Sequence, residues 1–184
     1  MSMIRMHEHK NETRLRKLIT AALVAALTCV ATMVLVIPLP GNGYVNLGDC
    51  VVIAAGILLG PLWGAAAAAI GSGLADLLLG YAVYMPGTVV IKGLMALCAW
   101  GIYRISQKPG TAPSVGAAAL ASFTAEAVMV SGYFLYDAAL LGVTAATVAT
   151  LGNLVQGAAG AVIGAALVHV ILRSERIRVH LEQK

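Results

Sequence analysis

Charge is scarce in this sequence. Asp, Glu, Lys and Arg make up 11% of the 184 residues, where a soluble domain carries about 25%. That excludes an ordinary soluble domain. Cysteine is also rare: Cys29, Cys50 and Cys98 stand singly in apolar stretches, with no Cys-x-x-Cys spacing and no histidine at ligand distance. They read as small packing residues, and neither a disulfide framework nor a metal site follows. Enzyme signatures are missing too. The chain has no Gly-x-Ser-x-Gly elbow, no phosphate-binding Walker loop, no His-Glu-x-x-His and no Asp-rich phosphatidyl-transfer motif. No catalytic role and no cofactor are expected, and any active transport has to take its energy from a partner or an ion gradient. The net charge of +4 does not point to nucleic acid, because eleven of the twelve Lys and Arg lie in three clusters beside apolar runs. Such clusters are a topology signal.

What fills the chain is apolar sequence, 60% of all residues. A helix crossing a bilayer needs about 20 apolar residues, and six runs occupy nearly the whole length. The expected fold is an all-α integral membrane protein, one domain over 1–184 with six transmembrane helices. A basic segment, 1–17, precedes them and a basic tail, 173–184, follows. The helices are expected at about 18–37, 50–59, 62–79, 88–103, 114–135 and 146–172. Pro38, Pro40, Gly41 and Gly43 break the chain after the first, and Gly60-Pro61 separates the second from the third. Lys and Arg occur before the first helix, in the turn holding Arg104 and Lys108, and after the last helix. The loops 38–49, 80–87 and 137–145 have none. This alternation places both termini in the cytoplasm of a multi-pass cell-membrane protein.

Several polar residues interrupt the apolar runs. A charge deep in a bilayer costs about 2.5–3.5 kcal/mol on insertion scales, so it normally faces a partner or a wet cavity. Asp49 falls at the outer mouth of the second helix, Asp76 near the outer end of the third, and Lys92 about one turn into the fourth. Glu126, Tyr133 and Asp137 share one face of the fifth helix at i, i+7 and i+11, and Asn153 and Gln156 share a face of the sixth. With Asn46 and Tyr84 from the outer loops, these residues converge on the outer half of the bundle. Asn46, Tyr84, Lys92, Glu126, Tyr133, Asn153 and Gln156 are therefore candidate binding residues, and Asp49 and Asp76 candidate ion-pair residues. At similar depths, Asp76 and Lys92 are the expected pair. Blander roles exist for each: a structural ion pair, a protonated Glu126 bonded to a neighbouring helix, interhelical amide bonds, interfacial tyrosines. On the first helix Ala21, Ala22, Ala25 and Ala26 form overlapping Ala-x-x-x-Ala pairs, suited to a close helix neighbour inside or outside the chain.

Taken together, Asn46-Leu47-Gly48-Asp49, Leu74-Ala75-Asp76-Leu77, Ile91-Lys92-Gly93-Leu94-Met95-Ala96, the alanine-rich first helix and its basic prelude resemble the S components of energy-coupling factor (ECF) vitamin transporters. The resemblance covers essentially the whole chain. It implies a substrate-binding subunit of a prokaryotic ABC-type importer that takes a small water-soluble vitamin at the outer face. Its implied partners are a transmembrane T component and two ATPase subunits, with Ala22 and Ala26 matching the docking motif of the first helix. Lys92 falls where family members place a ligand contact, and Asn153 matches an asparagine that contacts ligand in the thiamine-binding branch. That branch has an acid where this chain has Lys92, which argues against cationic thiamine. The nearest branch is the hydroxymethylpyrimidine or pyridoxine type, with pantothenate and riboflavin open. The rival reading is a self-sufficient channel or proton-coupled carrier using Asp76, Lys92 and Glu126 as a relay. A structural membrane subunit without a ligand is a third.

Overall fold

The computed structural model describes residues 2–38 and 44–174. Positions 39–43 of the first loop and the basic tail from 175 lie outside the described residues. Six helices follow one another: α1 (Ser2–Val34), α2 (Gly48–Leu59), α3 (Pro61–Leu78), α4 (Met85–Ser106), α5 (Val115–Leu141) and α6 (Val143–Arg173). Between α1 and α2 the chain forms a short antiparallel ladder, β1 (Ile37–Pro38) with β2 (Tyr44–Val45), pairing Ile37 with Val45 and Pro38 with Tyr44. The first loop is thus a small hairpin rather than an irregular segment.

Five segments are long and apolar enough to cross a membrane: Arg14–Val34, Pro61–Leu78, Met85–Ser106, Val115–Leu141 and Val143–Arg173. Their outward faces carry Leu23, Leu62, Val90, Phe123, Leu151 and Val162, all exposed, as expected for a surface that meets lipid rather than water. The protein is a multi-pass membrane protein. The exception is α2. Its 12 residues extend about 18 Å at 1.5 Å per residue, short of the ~30 Å hydrocarbon core. Eight of them, Gly48, Asp49 and Val51 through Gly56, are buried. This helix is the central pillar of the bundle, packed by α1, α3, α4 and α6.

Small residues permit that central placement. A Cβ on Gly56 would come within 2.2 Å of the Ala96 carbonyl oxygen of α4, and one on Gly64 within 2.4 Å of that of Ala55. Backbones therefore touch, the usual way membrane helices gain packing energy. The two alanine stripes of α1 divide between inside and outside. Ala21 and Ala25 are buried against Ala67 of α3, where a Cβ on Gly71 would meet the Ala25 carbonyl oxygen at 2.3 Å. Ala22 and Ala26 are exposed on the other side.

The helix limits also differ from the expectation in one place that matters for the site. The segment 137–145, read as a loop, is helical up to Leu141. Only Gly142, at φ 89°, separates α5 from α6, a left-handed conformation that glycine adopts without a steric penalty. Asp137 is accordingly a buried helical residue.

Candidate functional site

One end of the bundle is covered by the β1–β2 hairpin, which is tied down at two points. The Tyr44 hydroxyl donates to Asp76 Oδ1 on α3 at 2.6 Å, and the Asn46 amide N–H donates to Gln156 Oε1 on α6 at 3.0 Å. Asn46 in turn accepts the Gly48 N–H through Oδ1 at 2.8 Å, an Asx turn that starts α2. Burial, and then the Asp76 carboxylate, push the Tyr44 hydroxyl far above the ordinary phenol range, so it remains a donor. Tyr81 stacks on Tyr44 with ring centroids 4.8 Å apart.

Beneath the hairpin lies a cavity lined by Tyr44, Asn46, Asp76, Tyr84, Thr88, Tyr133, Asp137, Ala149, Asn153 and Gln156. About 30 Å³ of it can be swept by a water-sized sphere, room for about two water molecules. Its walls come from the end of α3, the start of α4, the C-terminal half of α5 and the N-terminal half of α6. Thr88 and Tyr133 share a hydrogen bond of 2.9 Å across the α4–α5 seam. The Tyr84 hydroxyl is hydrogen-bonded to the Asp137 carboxylate, and the Tyr84 ring leans on Tyr136 at 6.0 Å. Tyr136 anchors the α3–α4 turn by donating to the Val83 carbonyl oxygen at 2.7 Å.

A second polar layer lies under this cavity. Lys92 donates to Asp49 Oδ1 and forms with it the one salt bridge among the described residues, both side chains being almost wholly buried. Asp49 Oδ2 accepts from Gln156 Nε2 at 2.6 Å. Both carboxylate oxygens are therefore satisfied, the condition under which a buried pair is tolerated. The Lys92 ammonium also stands 5.5 Å from the centre of the Tyr133 ring, a cation–π distance. Glu126 is buried on α5, and neither of its oxygens has a hydrogen-bond partner among the described residues. It fills space left by Gly160 of α6, where a Cβ would fall 2.0 Å from Glu126 Oε1.

Of the residues expected from the sequence, Asn46, Asp76, Tyr84, Tyr133, Asn153 and Gln156 are brought together around the cavity. Lys92, Glu126 and Asp49 are not in its wall. The expected Asp76–Lys92 pair is corrected: Lys92 belongs to Asp49, and Asp76 receives the Tyr44 hydroxyl. Position along a helix gives depth but not rotation, and the central α2 puts Asp49 directly before Lys92. Tyr44, Thr88 and Asp137 are lining residues that the sequence reasoning left out. Asp137 shares the face of Glu126 and Tyr133 but lies beyond the expected end of α5 at about 135; nothing in the local sequence marks Thr88.

Comparison with known proteins agrees with this architecture. A family model described as "ECF-type riboflavin transporter, S component" matches residues 12–173. A protein of Pyrococcus woesei, known as an uncharacterized protein in the gap 3′ region, is 33% identical over 143 residues, covering 77% of this chain and 92% of that one. The fold is similar to that in "Structure and mechanism of the S component of a bacterial ECF transporter", with a TM-score of 0.62 at 20% identity, covering 84% of this chain and 94% of the other. Matched from residue 12 in α1 to the last residue of α6, this chain belongs to the ECF-type riboflavin transporter S component family.

Proposed function

We propose that this subunit captures a small, flat, water-soluble vitamin or precursor in the cavity under the hairpin. It then delivers the ligand inward while docked on a T component and two ATPase subunits. The carrying observation is the cavity itself, a site walled by three tyrosines, two carboxylates and three amides at one end of a largely apolar bundle. Ligand pockets have this make-up, an apolar and aromatic body with a few placed polar groups. We assign ligand contacts to Asn46, Tyr84, Tyr133, Asn153 and Gln156, joined by Asp76 and Asp137. Because the cavity has room for only about two waters, a vitamin enters when the hairpin lifts and Tyr44 and Asn46 release Asp76 and Gln156.

Riboflavin is the first ligand to test, since the family model matched by residues 12–173 is described by it. A pyrimidine or pyridine compound such as hydroxymethylpyrimidine or pyridoxine is the second, favoured by the small volume. The objection to a cation drawn from Lys92 falls away, because that charge is held by Asp49 outside the cavity wall. Native mass spectrometry of the purified subunit should show one small molecule bound per chain. A chain carrying none, and binding none of these compounds, would remove the capture reading in favour of a structural subunit.

The orientation with both termini cytoplasmic belongs to the same proposal and rests on the distribution of Lys and Arg. Single cysteines labelled from outside the cell should react at position 42 and not at 110. The reverse pattern would invert the subunit and put the cavity on the wrong side for uptake.

A further inference from the structure

The charge left unspent in the cavity has one sign. Asp76 and Asp137 are 2% and 3% exposed, both line the cavity, and Asp76 Oδ2 and Asp137 Oδ1 have no hydrogen-bond partner among the described residues. Among the described residues no lysine or arginine lines it. Between Lys17 and Arg104 the sequence holds a single basic residue of that kind, Lys92, and its charge is committed to Asp49. While the hairpin is closed the Gln156 amide is spent as well, its oxygen on Asn46 and its nitrogen on Asp49. Buried acceptors without donors are costly, so a ligand that supplies donors relieves a penalty already present in the empty site. An anion meets two carboxylates and no compensating cation. Tyr44, Tyr84 and Tyr133 line the cavity and give it aromatic surface, which favours a flat body, neutral or cationic.

We infer that the cavity selects an uncharged or cationic flat nitrogen heterocycle carrying hydroxyl or amino donors for Asp76 and Asp137, and rejects phosphorylated and carboxylate-bearing ligands. This rests on the capture reading above and adds a charge rule to it. The subunit therefore discriminates a free vitamin from its phosphate ester, the form that a kinase acting after uptake would produce.

The test is binding to the detergent-purified subunit, followed by calorimetry, with matched probes: riboflavin against riboflavin 5′-phosphate, pyridoxine against pyridoxine 5′-phosphate, and pantothenate as a carboxylate. At least one free heterocycle should bind a hundredfold or more tighter than its phosphate ester, and pantothenate should not bind. Asp137→Asn and Asp76→Asn should each weaken the free heterocycle about ten- to a hundredfold, the loss of one charge-assisted hydrogen bond, and narrow the gap to the ester. The wild-type comparison needs no variant and stands even if one fails to fold. Ester and free form binding within threefold, or tight pantothenate binding, would overturn the charge rule and leave the capture reading intact. If no probe binds, the molecule released in native mass spectrometry decides: an anion overturns the rule, a neutral or cationic heterocycle supports it, and no molecule at all removes the capture reading and the rule together.

Discussion

Replacing Lys92 with methionine should destabilise the fold by about 3–5 kcal/mol, the typical effect of removing one partner of a buried ion pair. The cause is the carboxylate left behind. Asp49 sits 1% exposed at the head of α2, and without Lys92 its Oδ1 has no donor, while Gln156 serves only Oδ2. Since α2 packs against all five other helices, strain at Asp49 reaches the whole bundle. Adding Asp49→Asn to Lys92→Met removes the orphaned charge and should recover most of the stability, with Gln156 still able to donate to the new amide oxygen. Thermal unfolding in detergent distinguishes the cases. A Lys92→Met protein as stable as the wild type but ten- to a hundredfold weaker for ligand would show instead that the ammonium faces the bound vitamin, the role the sequence suggested.

That divergence shows what was readable in the chain. Apolar run lengths located all six helices, and the brevity of the second run already marked α2 as unusual. Its burial on all sides was not legible, because hydrophobic sequence looks alike whether it faces lipid or protein. Polar residues inside apolar runs identified most of the cavity wall, since their cost in the bilayer requires a purpose. The end of α5 was less legible: Asp137 interrupts an apolar run, yet it is helical, and Tyr84, the residue before α4, bonds to its carboxylate. The hairpin's two anchors, Tyr44 to Asp76 and Asn46 to Gln156, join residues far apart in sequence, and no local pattern encodes them.

Placing tryptophan at Ala22 or Ala26 should abolish assembly with the T component and ATPase subunits while leaving ligand binding by the isolated subunit unchanged. Both alanines are exposed, so a larger side chain projects from the surface instead of into the described core. The neighbouring stripe serves as the internal control. Ala25 is 8% exposed against α3, and tryptophan there should damage the fold itself through overpacking. The outward stripe lies amid exposed Leu18, Leu23, Leu27 and Val30, a smooth apolar face on which another helix can approach closely. Loss of binding with the complex intact would assign Ala22 and Ala26 to the internal bundle.

The role of energised partners separates a capture subunit from the rival carrier, in which Asp76, Lys92 and Glu126 relay protons. The structure divides that relay, giving Asp76 to Tyr44 and Lys92 to Asp49. The most direct measurement is uptake of the bound vitamin into vesicles. The subunit alone should bind it without accumulating it, with or without a proton gradient. Vesicles that also contain the T component and both ATPases should accumulate it only with ATP, and the Ala22 or Ala26 variants should lose that uptake. Accumulation by the subunit alone, driven by a proton gradient, would contradict the account.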